Sequence, residues 1–430
     1  MIDIKLIRED PDLVRGAITK KHGDLSLVDA VLKIDAERRT LRQETEAKQA
    51  EQNKFSAEVA KASEAEREKL RGQLKELSDA IKEGSRRLTE LDEQFLIVMR
   101  QIPNIPTADV PDGASDKENV VVKTVGEKPV FDFEPLDHEK LAVALDLVDL
   151  ERAAKVTGSK FYYLKNELVI LELAVLRFAL DVLKSKGFTV MTVPTMARAE
   201  AMYGAGHFST PEDASEGDAY QLERDELYLT GTAEVALVNY HAGEILAEVE
   251  LPLRYAGIST CYRREAGTYG KETRGLYRVH QFNKVEMVSY ARPEDSHQEH
   301  EMLLGLAEDL LQKLGLHYQV VLNCGGDLGT PQSKKWDIET WMPGMGKYGE
   351  THSCSNDTDY QARSLNIRFR RSGAGNEKEI EFVHTLNNTA LASPRILIAI
   401  LENYQQKDGS IKVPEVLLPY TGFSELRKKD

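Results

Sequence analysis

Apolar residues recur every seven positions through much of the first quarter of the chain. Leu70, Leu77, Leu91 and Val98 step by seven, with Gly84 standing in the series, and Leu74, Ile81, Leu88 and Phe95 form the complementary row. That spacing predicts the seam of a coiled coil with one defect, at Gly84. A looser seam precedes it through Leu27, Ile34, Leu41, Phe55 and Ala62, with Lys48 in the series. From about Leu27 to Arg100 there is no proline, and the only glycines are Gly72 and Gly84. Glu, Lys, Arg, Ala and Gln, all strong helix formers, dominate. The seam is interrupted over Ala62-Ser-Glu-Ala-Glu-Arg-Glu. Two long helices folded back as an antiparallel hairpin account for both halves. A single long helix in a parallel homodimer is the competing layout.

Pro103, Pro106 and Pro111 end the helical pattern, and a polar linker runs to about Pro135. The pattern then becomes mixed. It predicts helices over Asp137–Ala154 and Glu167–Gly187. Strands are expected at Thr189–Val193, Leu227–Leu229, Gly257–Glu265, Tyr277–Tyr290, Tyr318–Leu322, Trp336–Trp341 and Ser364–Arg371. This half reads as an α+β domain on an antiparallel sheet.

Composition narrows the class. The 430 residues leave room for two or three domains at ~150 residues each. No apolar run reaches the roughly 20 residues that span a bilayer. The most apolar stretch, Leu168 to Leu183, is broken by Glu172, Arg177 and Asp181. Acidic residues stand near the N-terminus where a signal peptide would carry a basic head, so a cytoplasmic protein with no membrane partner is expected. Cys261, Cys324 and Cys354 are far apart, which argues against a disulfide framework or a structural zinc site. The net charge of -15 weighs against nucleic-acid binding, although what matters is where the positive charge sits. Basic residues do cluster on the arm, at Arg38, Arg39 and Arg42, at Arg67, Lys69, Arg71 and Lys75, and at Arg86 and Arg87. A purely structural or dimerising coiled coil explains the arm equally well.

The segment from Gly257 to Tyr290 carries the most chemistry. Side chains alternate along a strand. Arg263 and Glu265 then share a face on the first strand, and Arg278, His280, Phe282, Lys284 and Glu286 share a face on the second. Val279, Val285 and Met287 point the opposite way. One face is apolar. The other offers guanidinium groups that can grip phosphate oxygens, a ring that can stack on a base, and carboxylates that can hold an amine, a hydroxyl or a metal.

At these residues the chain resembles the seryl-tRNA synthetases. Tyr262-Arg-Arg-Glu-Ala-Gly and Thr273-Arg-Gly-Leu-Tyr-Arg-Val-His-Gln-Phe-Asn-Lys-Val-Glu resemble motif 2 of that family. Thr232-Ala-Glu-Val resembles its serine-binding loop. Lys335-Trp-Asp-Ile-Glu-Thr-Trp-Met-Pro and Glu350-Thr-His-Ser-Cys-Ser-Asn resemble its catalytic strands. His384-Thr-Leu-Asn-Asn-Thr-Ala-Leu-Ala-Ser-Pro-Arg resembles motif 3, and Gly187-Phe-Thr-Val-Met-Thr-Val-Pro resembles motif 1 at the dimer interface. The arm and Ile102-Pro-Asn-Ile-Pro also fit, so the similarity covers essentially the whole chain.

The resemblance implies an antiparallel helical hairpin joined to a class II synthetase catalytic domain, whose antiparallel sheet is flanked by helices. It implies a tRNA-binding domain over 1–108 with its arm at about 27–100, a linker and connecting helix over 109–160, and the catalytic domain over 161–430. The implied substrates are L-serine, ATP and tRNA(Ser), with tRNA(Sec) left open, and the implied assembly is a homodimer. Arg263 would bind the α-phosphate and the serine carboxylate side, and Arg395 the γ-phosphate. Phe282 would stack under adenine and Arg278 would fix the triphosphate. Arg264, Glu265, Thr351 and His352 complete the ATP-binding segments. Glu350 and Ser353 would hold Mg²⁺. Thr232, Ala233 and Glu234 would bind the serine amino group, and Glu286 and Thr389 its hydroxyl.

Two positions depart from the family pattern. Asn388, Ala390, Ser393 and Pro394 replace the glycine-rich run often drawn before the motif 3 arginine. His352 stands where many members have Ser or Val, either as a spectator or as a second metal contact. Two other readings remain. A ligase that loads a carrier protein would lack the long arm. A non-catalytic coiled-coil regulator would not need Arg263, Glu286, Glu350 and Arg395 together.

Overall fold

The structure is a computed structural model that describes residues 1–59, 63–265, 275–372 and 379–428. Contacts divide the chain into two units, one of Ile2–Thr19 and Gly23–Ile102, the other of Met1, Lys20–His22 and Pro103–Asp430.

In the first unit, helices Ser26–Val59 and Glu64–Gln101 pack against each other as the predicted hairpin. Every position of the second-half seam, from Leu70 to Val98, is buried or half-buried. Gly84 is no defect. A Cβ there would lie 2.6 Å from Thr45 Oγ1 on the facing helix, so the missing side chain lets the two backbones approach. Arg38 forms an ion pair with Asp92 and stacks 3.8 Å from the centroid of Phe95, which ties the two helices together. Ala62, in the looser seam, lies outside the described residues.

The second unit is built on an eight-stranded sheet. Its strands are β1 (Val120–Val125), β2 (Thr189–Thr192), β3 (Leu253–Tyr262), β4 (Gln281–Ala291), β5 (Tyr318–Leu322), β6 (Lys334–Met342), β7 (Lys347–Asn356) and β8 (His384–Ala392). Their spatial order is β1-β5-β6-β7-β8-β4-β3-β2, antiparallel throughout except that β2 runs parallel to β3.

One face is covered by α1 (Glu167–Ser185), α2 (Ser296–Lys313) and α3 (Ser393–Asn403). Val285 and Met287 of β4 and Trp336 and Ile338 of β6 meet Leu171, Leu310 and Leu397 there. Each such large apolar side chain contributes about 1.5–3 kcal/mol when fully buried. The odd positions of β4 thus anchor it to the helices, and its even positions, Val288 and Tyr290, enter a smaller cluster on the other face with Tyr228, Leu237 and Phe369.

Several predicted elements differ. The helix expected over Asp137–Ala154 is two, His138–Ala144 and Leu150–Thr157. Asp146 between them adopts a left-handed φ of 55°, and Asp149 caps the second helix by accepting from the Arg152 N–H. The expected strand Ser364–Arg371 begins as the helix Tyr360–Leu365. Asn366, left-handed at φ 56°, ends that helix and only Arg368–Arg370 is strand. The strand expected from Tyr277 starts at Gln281, and the one expected to reach Glu265 stops at Tyr262. Residues 266–274 of the loop between them lie outside the described residues.

Candidate active site

A cavity open to solvent lies on the sheet face away from the helices. Its floor follows from strand parity. Phe282, Lys284 and Glu286 alternate on β4 and all line it. On β7, strict alternation would put Glu350 with His352 and Cys354, facing the helices. An extra residue, Thr351, corrects this. Ile338 pairs with His352 and Glu339 with Glu350, so the bulge turns Glu350 onto the same face as Ser353 and Ser355. β8 does the same at Ala390. Leu391 pairs with Val285 and Thr389 with Glu286, which brings Thr389 and Ala392 onto the cavity side.

Two arginines from distant parts of the chain line the cavity. Arg395 rides on the first turn of α3, just after Pro394, which suits a helix start because it lacks an N–H. Its guanidinium donates to the Glu350 carbonyl at 2.7 Å, lies 3.3 Å from the Glu350 carboxylate, and stacks 4.6 Å from the centroid of Tyr277. Burial pushes the Glu350 carboxyl up, but Arg395, Lys335 and Arg263 together hold it below its ordinary value. Arg263 follows β3 directly. Its Nε donates to the Gly231 carbonyl at 3.3 Å, and its guanidinium sits 5.3 Å from the centroid of Phe282.

The cavity also holds two carboxylates with opposite tuning. Glu286 is 2% exposed and forms an ion pair with Lys284, itself buried. Burial raises its carboxyl above the ordinary value, with the charge of Glu234 adding to the rise and Lys284 opposing it. For Glu234, burial acts upward too, but His207, Gln361 and Lys284 outweigh it and the carboxyl lies below its ordinary value. Gln361 donates to it at 2.8 Å and Asn387 at 3.3 Å, and His207 Nε2 lies 3.7 Å away. Thr232 Oγ1 accepts from the Glu234 N–H at 3.1 Å and also lines the cavity.

The cavity therefore brings together Thr232, Glu234, Arg263, Glu265, Phe282, Glu286, Glu350, Thr351, His352, Ser353, Thr389 and Arg395. Three expected residues are not in its lining. Ala233 is buried behind it. Arg264 donates its backbone N–H to the Asp218 carbonyl. Arg278 pairs with Glu265 at 2.9 Å, because the chain there precedes β4 and does not alternate. For the same reason Val279, expected on the apolar side, lines the cavity. His207, Lys284 and Asn387 were not singled out as binding residues. Lys284 was legible, lying two residues before Glu286 on the same face. His207 carries no periodic signal.

Among the described residues there is no cluster of three or more His, Cys, Asp or Glu side chains arranged for a metal ion. Glu350 and Ser353 share the cavity face and offer a carboxylate and a hydroxyl oxygen. That donor set suits Mg²⁺, which takes one or two carboxylates together with substrate phosphates rather than an all-protein cage.

A mostly antiparallel sheet backed by helices, with two arginines and tuned carboxylates converging on its open face, defines the catalytic core of a class II aminoacyl-tRNA synthetase. Residues 219–404 match the family described as "tRNA synthetase class II core domain (G, H, P, S and T)", and residues 1–106 match "Seryl-tRNA synthetase N-terminal domain". The serine–tRNA ligase of Dictyoglomus turgidum is 48% identical, covering 100% of both chains. The crystal structure of seryl-tRNA synthetase from Pyrococcus horikoshii complexed with ATP matches with a TM-score of 0.90 at 42% identity, covering 100% of each chain. The cytoplasmic serine–tRNA ligase of Naegleria fowleri, in complex with AMP, matches at 0.84 and 31% identity, covering 100% of this chain and 99% of that one. The chain belongs to the seryl-tRNA synthetases.

Proposed function

We propose that the cavity joins L-serine to ATP as seryl-adenylate and then passes the seryl group to the 3′ end of tRNA(Ser), with tRNA(Sec) as a second acceptor. The observation that carries this reading is that Arg263, Arg395, Glu234 and Glu286 line one cavity. In the first step a serine carboxylate oxygen bonds to the α-phosphorus, and the bond from that phosphorus to the bridging oxygen breaks as pyrophosphate leaves. No general base is required, since a carboxylate is ionised at neutral pH. Catalysis is then positioning and charge neutralisation.

Arg263 takes the α-phosphate and the serine carboxylate side, and Arg395 the γ-phosphate. Phe282 stacks under adenine, beside the Arg263 guanidinium. Arg278 fixes the triphosphate by exchanging Glu265 for a phosphate oxygen. Glu265 and Thr351 belong to the walls around the nucleotide. Glu350 and Ser353 would hold Mg²⁺, which neutralises phosphate charge when bound. Thr232 and Glu234, with Ala233 between them, receive the serine ammonium group. The lowered Glu234 carboxyl suits a cation, because it stays charged. Glu286 and Thr389, opposite each other in register, take the hydroxyl. In the second step the terminal ribose hydroxyl attacks the seryl carbonyl carbon and AMP leaves.

The arm is read as the tRNA-gripping element. Arg42 and Arg86 are exposed, and their surface ion pairs are worth little, so phosphates can displace the carboxylates. A homodimer is supported by the outer side of α1, where Ile170 and Leu173 are exposed, and by Val190 on the edge strand β2. Among the described residues no helix is long and apolar enough to cross a membrane, and the cytoplasm is the proposed place of action. Pyrophosphate exchange tests the core of the reading. It should depend on serine, and its absence with pure protein, ATP, Mg²⁺ and serine would refute adenylation.

A further inference from the structure

His352 lines the cavity, yet it is 1% exposed and both of its ring nitrogens are engaged by protein. Nε2 lies 2.9 Å from the Ala390 carbonyl, which can only accept, so Nε2 carries the hydrogen. Nδ1 lies 2.9 Å from the Thr351 hydroxyl, which is also 2.8 Å from the Thr340 hydroxyl and 3.2 Å from the Ile338 carbonyl.

The partners are notable for their positions. Thr351 is the extra residue of the β7 bulge and Ala390 the extra residue of the β8 bulge. The two strands pair with each other only from Cys354 opposite Asn388 to Asn356 opposite Leu386. On the Glu350 side of that register the imidazole bridges one bulge to the other. Each bulge sets the facing of a binding residue, Glu350 on β7 and Thr389 on β8.

We propose that His352 is a positioning residue. Its imidazole ties the two bulges together and so fixes, at once, the nucleotide-side carboxylate of Glu350 and the serine-side hydroxyl of Thr389. It touches neither substrate. The inference rests on the assignment of those two residues under Proposed function. With both ring nitrogens bonded to protein, the imidazole is not placed to be a metal ligand.

The test compares His352→Gln with His352→Asn. The Gln amide nitrogen reaches about as far as Nε2 and can still donate to the Ala390 carbonyl, whereas the shorter Asn cannot. Each variant is checked for folding by thermal melting. KM for ATP, KM for serine, kcat and the serine-to-alanine ratio are read from pyrophosphate exchange. Calorimetry reads the binding of ATP and of a sulfamoyl analogue of seryl-adenylate. His352→Asn is expected to raise both KM values and weaken both ligands, with kcat/KM down by about 10²-fold, the scale for a misplacement of about 1 Å. It should also lower the serine-to-alanine ratio. His352→Gln should restore most of each quantity. A folded Asn variant with parental KM values and ratio overturns the proposal. So does a change confined to ATP or confined to serine, or a Gln variant as impaired as Asn. Should Asn not fold, Gln decides alone by staying near parental or not. Lack of serine-dependent exchange in the parental protein would sink the functional reading instead, and is seen before any variant is made.

Discussion

Glu286 is assigned to the serine hydroxyl, and its surroundings dictate how that must be tested. It forms a buried ion pair with Lys284, so changing it alone strands a buried ammonium group. Removing one partner of such a pair costs about 3–5 kcal/mol, whereas neutralising both is often close to neutral. Glu286→Gln alone should therefore lower the urea midpoint sharply, and Lys284→Met with Glu286→Gln should recover most of the loss. Specificity should not recover with it. A pocket built around a substrate hydroxyl rejects the analogue lacking it by about 10⁴–10⁵. A hydrogen bond to a charged group is worth about 1.5–3 kcal/mol and a neutral one about 0.5–1.5. The exchange of carboxylate for amide thus removes about 1–1.5 kcal/mol, or roughly tenfold in the serine-to-alanine ratio. Lys284→Met with Glu286→Ala should lose most of that ratio. The assay is pyrophosphate exchange with serine and with alanine in all variants. A double variant that regains stability and keeps the parental ratio would remove Glu286 from hydroxyl recognition.

Three further outcomes are expected. Arg263→Ala should cut serine-dependent pyrophosphate exchange by about 10²–10³ while leaving the melting curve nearly unchanged, and near-parental exchange would contradict its phosphate role. Deleting residues 27–100 and joining the ends should spare exchange but abolish tRNA charging, and parental charging would make the arm merely structural. Burial holds the Glu286 carboxyl above its ordinary value and only its ionised form accepts well from the serine hydroxyl. The kcat/KM for serine should then fall as pH drops through that raised value, and Lys284→Met should move this limb to higher pH, so an unmoved limb would count against the pairing. The stability contribution has the opposite sign, being present at low pH and lost as pH rises through the same value.

The parts of the fold governed by local periodicity were legible in the sequence. The heptads gave the arm because seam residues such as Leu77 and Leu91 meet their partners at a fixed spacing. Gly84 looked like a flaw because the residue it accommodates, Thr45, is on another helix. On β4, alternation alone placed Phe282, Lys284 and Glu286 on one face. The same rule failed on β7 and β8. Glu350, Ser353 and Ser355 share a face only through the extra residue Thr351, and a bulge is created by pairing with another strand. It failed again at Val279 and Arg278, where strand pairing has not begun. His207 reaches Glu234 through the tertiary fold, which no local pattern encodes.

The most direct measurement is charging. Purified protein, total tRNA, ATP, Mg²⁺ and radiolabelled serine are combined, and acid-precipitable serine is counted against controls lacking each component and against labelled alanine and threonine. The expected result is label that accumulates only when every component is present, is released by mild base as an ester should be, and is negligible with alanine or threonine. Serine-dependent pyrophosphate exchange without transfer to tRNA, or equal transfer of another amino acid, would contradict the assignment.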